Sequence, residues 1–119
     1  LIGPGGVFAL EIKNWVGDIR YDRRRRLWYR FTQRYPSGQV LKDPAKQIEE
    51  SAGALRWALW KRATPVVVLA NPRASFSGDD PGVPVLRLGE LAAWVQGQPE
   101  ALDEKAIGRL EKRLKRRMK

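Results

Sequence analysis

The sequence has 119 residues, with 23 Lys and Arg against 13 Asp and Glu, a formal net charge of +10, and neither Cys nor His. That length suits one domain around one core, and 43% apolar residues argue against wholesale disorder. Lacking Cys and His, the chain can have no disulfide framework, no thiolate or imidazole metal site, no Cys nucleophile and no Ser-His-Asp triad, so any reaction must run on carboxylates, Lys, Arg, hydroxyls or a metal held by oxygen.

In chain order, Gly3-Pro4-Gly5-Gly6 predicts a turn and Val7 to Lys13 a strand, with Phe8, Leu10 and Ile12 on one face and Val7, Ala9, Glu11 and Lys13 on the other. Gly17-Asp18 marks a turn into a strand from Ile19 to Tyr21. The run Arg23-Arg24-Arg25-Arg26 separates it from a strand over Leu27 to Gln33, which predicts a hairpin. In that second strand Leu27, Tyr29 and Phe31 share the face expected to be core, while Trp28, Arg30, Thr32 and Arg34 share the other. Tyr35-Pro36-Ser37-Gly38 predicts a loop. Asp43 can cap a helix that opens on Pro44, with Ile48, Ala52, Leu55 and Leu59 as its buried stripe.

Pro65 then introduces Val66 to Ala70, an unbroken apolar run that suits a strand covered on both faces and ends at Asn71-Pro72. Residues 73–82, rich in Ser, Gly, Asp and Pro, predict an exposed loop, Val83 to Leu88 a shorter strand, and Glu90 to Gln96 a short helix. After Gln98-Pro99, Asp103 caps a last helix with Ile107, Leu110, Leu114 and Met118 on one side and bases on the other. The order β, β, β, α, β, β, α, α predicts an α/β fold: one mixed β-sheet flanked by helices, in a single domain over residues 1–119. No apolar run approaches the roughly 20 residues that span a bilayer, so no membrane partner is expected and a cytoplasmic location is the default. The start at Leu1, already strand-like, reads as that of an excised fragment.

Two segments carry the charge. Arg20 to Arg34 holds seven Arg and one acid, a net +6; Lys105 to Lys119 holds eight bases and one acid, a net +7; the rest of the chain is net −3. Arg outnumbers Lys 15 to 8, and the guanidinium fork suits bidentate contact with phosphate oxygens. Each run alone is compatible with a solvated surface, but two together point to a nucleic-acid surface made by Arg23, Arg24, Arg25, Arg26, Arg30 and Arg34 with Lys112, Arg113, Arg116 and Arg117. Trp28 either stacks on an unpaired base or packs under a helix.

Glu11-Ile12-Lys13 is the one place where a carboxylate and an ammonium stand one residue apart on an interior apolar strand. Burying both calls for an explanation, either a strand end where they reach solvent or a site where they pair or bind something. The stretch from Gly3-Pro4-Gly5-Gly6 through Glu11-Ile12-Lys13-Asn14-Trp15 to Gly17-Asp18-Ile19 closely resembles the signature of the nuclease-related domain, NERD, a branch of the PD-(D/E)XK nuclease superfamily. Asp43-Pro44 followed by Gln47, the strand ending in Asn71, and Glu90-Leu91 ahead of a terminal helix agree with it.

The resemblance implies a restriction-endonuclease-like core and a divalent cation, Mg²⁺ or Mn²⁺, held by Glu11, the Ile12 carbonyl and an Asp a few residues before the Gly-Pro-Gly-Gly turn, upstream of Leu1. Lys13 would orient or activate the attacking water and Gln47 would lie near the centre, although Gln47 can equally be a surface helix residue. The reaction implied is metal-dependent phosphodiester hydrolysis, on DNA in preference to RNA, in a protein with fused or associated helicase-type or other DNA-processing domains. With one carboxylate, the fragment by itself should bind Mg²⁺ poorly and be inactive. The alternatives are a non-catalytic nucleic-acid-binding module and a protein-interaction domain docking through its basic last helix.

Overall fold

Two short hairpins and one long apolar strand organise the chain into two sheets. The computed structural model describes residues 1–59 and 61–118, with side chains for all of these except 117 and 118. Strand β1 (Ile2–Gly3) turns through Pro4-Gly5 into β2 (Gly6–Lys13), with Ile2 opposite Val7 and Gly3 opposite Gly6. β2 runs parallel to β6 (Ala63–Leu69), and β6 parallel to β8 (Val85–Arg87), giving a first sheet in the order β1-β2-β6-β8. The second sheet, β5-β4-β3-β7, is built on the hairpin of β3 (Gly17–Asp22) and β4 (Leu27–Phe31), extended by β5 (Gln39–Leu41) and by β7 (Ala74–Gly78), which runs parallel to β3. Gly17 opens β3 with φ of 106°, and a Cβ there would lie 2.7 Å from the Phe31 carbonyl oxygen, so the corner between the sheets requires glycine.

Helix α1 (Pro44–Leu59) begins where Asp43 Oδ1 accepts hydrogen bonds from the backbone N–H of Ala45 (2.9 Å) and Lys46 (3.3 Å). Helix α3 (Glu104–Met118) begins the same way, the Ala106 N–H donating to Asp103 Oδ1 at 2.7 Å. Helix α2 (Leu88–Gln96) follows β8, and Glu90 Oε1 accepts the Arg87 N–H at 2.9 Å.

The period-two alternation of β2 and β6 distributes their side chains between two cores. Phe8, Val66 and Val68 pack under Leu91, Trp94 and Val95 of α2. On the opposite face Val7 and Ala9 meet Leu59, Leu102 and Leu110 under α1 and α3, while Val67 and Leu69 join Ile19, Trp28, Ala74 and Ile48 in the cluster that welds the sheets together. Val66 to Leu69 is therefore covered on both faces, as an unbroken apolar parallel strand requires.

The architecture is the expected α/β class, consistent with a PD-(D/E)XK-like core, but it holds two four-stranded sheets rather than one. The stretch 73–82 is not all loop: Ala74 to Gly78 pairs along β3, with Ala74 buried and Ser75 and Ser77 exposed. The β4 faces are also reversed from expectation. Trp28 is 1% exposed, in contact distance of Trp15, Tyr21 and Phe76, whereas Leu27, Tyr29 and Phe31 are only half-buried and belong to none of the three clusters. Among the described residues no helix is long and apolar enough to cross a membrane.

Candidate active site

Glu11 and Lys13 are two residues apart on β2, so their side chains leave the same face, and that face is the one packed by α1. Glu11 stands in register with Val67 and Lys13 with Leu69, both of them fully buried. The Lys13 Nζ lies 3.2 Å from Glu11 Oε1, with 20% of the Lys13 side chain and 23% of the Glu11 side chain exposed. The same ammonium lies 5.6 Å from the centroid of Trp15, which packs against the cluster holding Trp28 and Ile48. An ion pair is thus held at the rim of an apolar core, beside an indole.

Ile12, between them, points to the other face and is 58% exposed, so only its carbonyl, not its side chain, is available to the Glu11 side of the strand. Gln47 is one residue before Ile48, whose side chain packs on Val67 and Leu69, the register neighbours of Glu11 and Lys13. Its Oε1 is buried without a hydrogen-bond donor, as is the Trp28 Nε1 without an acceptor. A buried amide oxygen left unpaired carries a free-energy penalty, which makes Gln47 a candidate to meet a donor brought by a bound group. Sequence reasoning singled out Gln47 but had no signal for the unpaired oxygen.

The carboxyl ends of the parallel strands β2, β6 and β8 lie together: the Ala70 N–H donates to the Lys13 carbonyl at 2.9 Å, and a cleft of about 680 Å³ lined by Asn71, Arg87 and Glu90 opens beyond β6 and β8. Ligands of open α/β sheets bind beyond the carboxyl ends of the strands, and Glu11 and Lys13 stand at that end of β2, although neither lines this cleft. Among the described residues no three Asp or Glu side chains gather into a cation site. Glu11 and the Ile12 carbonyl therefore fit only part of a Mg²⁺ site.

The candidate nucleic-acid residues fall in two places. Arg23 to Arg26 are exposed on the β3–β4 turn, where Arg26 adopts φ of 56°, and the backbone N–H groups of Arg23 and Arg25 donate to Asp79 and Asp22. The Arg25 guanidinium has its pKa raised above the ordinary value by the neighbouring Tyr29 hydroxyl and by Asp22, whose carboxylate lies 3.9 Å away. Arg34 lies over the Tyr35 ring. Arg30 is half-buried, its guanidinium spent on Gln39 Oε1 across β4 and β5, and Trp28 is sealed in the core, so stacking on a base is not available to Trp28. Lys112, Arg113 and Arg116 are exposed on α3, with Arg113 donating to the Leu59 carbonyl at 3.1 Å; the Arg117 side chain lies outside the described residues. The structure does not merge the two segments into one patch: α3 rests on α1 and β1, and the Arg turn belongs to the second sheet.

The curated proteins and the solved structures offer no match to the chain. The family model for NERD, the nuclease-related domain, matches residues 1–70, which span the β1–β2 hairpin, the Glu11–Lys13 strand, the second-sheet hairpin, α1 and its Gln47, and β6. With more than half of its length under that match, this chain belongs to the nuclease-related domain family.

Proposed function

We propose that the chain is the core of a metal-dependent nuclease that hydrolyses phosphodiester bonds, in DNA in preference to RNA. The observation that carries this reading is the Glu11–Lys13 pair, 3.2 Å apart, on the helix-covered face of an interior strand. A divalent cation, when bound, supplies charge stabilisation and a more acidic water. Glu11 and the Ile12 carbonyl offer it hard oxygen ligands. Lys13 keeps an ammonium beside that carboxylate, where its remaining N–H groups can hold a water or a phosphate oxygen, and Trp15 closes one side against bulk solvent.

Further ligation follows from the β1 register. Leu1 exchanges both backbone hydrogen bonds with Phe8, at 2.8 and 3.1 Å, and Ile2 faces Val7. A longer protein continuing β1 in this register places the third residue before Leu1 opposite Glu11 and on the same face. An Asp at that position would add the second carboxylate. That no three carboxylates gather around a cation site among the described residues is the observation that favours the rival reading, a non-catalytic nucleic-acid-binding module.

Protein extended upstream through that third residue, incubated with labelled DNA, is expected to cleave in Mg²⁺ or Mn²⁺ and to stop in EDTA. Absence of cleavage in both metals, or cleavage indifferent to EDTA, overturns the nuclease reading and leaves the binding module.

A further inference from the structure

We propose that the outward face of the second sheet binds an unpaired nucleic-acid strand, with Tyr29 and Phe31 as the platform on which bases stack. The cross-strand register places Tyr29 opposite Arg20 and Phe31 opposite Asp18, all on the face turned away from the core that holds Ile19 and Trp28. The two aromatic rings lie 6.3 Å apart, neighbours along one strand; the Arg20 guanidinium lies over Phe31 at 4.4 Å, so a base stacking there would displace Arg20 or lie against its guanidinium plane, while no cation lies over the Tyr29 ring among the described residues. None of the three apolar clusters includes them, and Val40, in register with Tyr29 on the adjoining strand, is 57% exposed. An outward sheet face ordinarily reads polar, so an aromatic pair beside an exposed Val on a chain of net charge +10 calls for an occupant.

Charge decides which occupant. A cleft of about 410 Å³ crosses this face, lined among others by Arg20, Arg25, Tyr29, Phe31 and Asp79. The acids on or beside the face already have partners: Asp18 holds Arg20 at 2.6 Å and accepts the Ser77 hydroxyl at 3.0 Å, Asp22 accepts the Arg25 N–H, and Asp79 accepts the Arg23 N–H at 2.9 Å. The middle of the face is therefore close to neutral and aromatic. Its rim carries Arg23, Arg24 and Arg26, all exposed and without an ion pair among the described residues. A neutral aromatic floor with a cationic rim matches a strand whose bases are splayed inward and whose phosphates run along the edge. A duplex keeps its bases stacked away and would use the rim alone.

Binding to this face is measured apart from the proposed cleavage when EDTA is present. Fluorescence anisotropy with a labelled oligothymidylate and a duplex of equal length gives the two affinities. Wild type is expected to bind the single strand more tightly. Tyr29→Ala and Phe31→Leu, the second keeping apolar bulk while removing the π face, are expected to lose roughly ten- to hundred-fold in single-strand affinity with duplex affinity within about twofold, and Tyr29→Phe to retain binding. Circular dichroism and thermal melting establish that each variant is folded. Equal losses for both nucleic acids, unchanged single-strand affinity in folded variants, or duplex bound as tightly as the single strand by wild type overturns the proposal.

Discussion

The Glu11 carboxylate and Lys13 ammonium are each other's counterion at 3.2 Å, at the edge of a core rather than within it. Ion pairs with this much solvent access contribute only about 0–1 kcal/mol to stability, so neutralising either side chain should leave the fold standing. Trp28 is the opposite case. It is 1% exposed, packed by Trp15, Tyr21 and Phe76, and sits where the two sheets meet. Trp28→Ala should destabilise the protein by about 3–5 kcal/mol, read from the urea midpoint, through the cavity left behind. A loss of nucleic-acid affinity in Trp28→Ala with an unchanged midpoint would restore this residue to the binding surface.

At the scale of elements, what the sequence disclosed depended on how many residues each strand uses and on which face carries the larger ring. β2 and α1 were legible because eight and sixteen residues repeat their period, with Asp43-Pro44 marking the helix start, and β6 because its apolar run is unbroken. Glu11 and Lys13 were legible for the converse reason, being charges where alternation allows apolar side chains. β4 has apolar or aromatic residues on both faces, and counting them favoured the face with three, Leu27, Tyr29 and Phe31; one tryptophan buries more than its neighbours, and it took the inner side instead. β7 hid because Ser75 and Ser77 face outward and only Ala74 and Phe76 pack inward; β1 and β5, of two and three residues, are too short to show a period. The pairing of Leu1 with Phe8 is set by the turn between them and is not a property of either residue. The β3–β4 hairpin carries its own prediction. Replacing Arg23 to Arg26 by Ser should flatten the dependence of log affinity on log salt by about 0.9 for each duplex phosphate contact removed, measured by titration at several salt concentrations. An unchanged slope would assign the phosphate contacts elsewhere, α3 being the other basic segment.

Across the whole molecule, 50 × 27 × 25 Å, the Ile19, Trp28, Ile48 and Val67 cluster is the joint between a sheet that carries the charged pair and a sheet that carries the arginine turn. The proposed function assigns chemistry to the first sheet and attachment to the second: variants on the second sheet should change affinity, and variants on β2 should change turnover. The most direct test compares single-turnover cleavage of DNA in Mn²⁺ by the upstream-extended protein and by its Glu11→Gln and Lys13→Ala variants, at saturating protein, with melting curves taken alongside. Loss of rate by orders of magnitude at unchanged melting is the expected result, since both side chains would act on the reacting phosphate rather than in packing. Cleavage by either folded variant at the parent rate would contradict the assignment of the active site to the Glu11–Lys13 face.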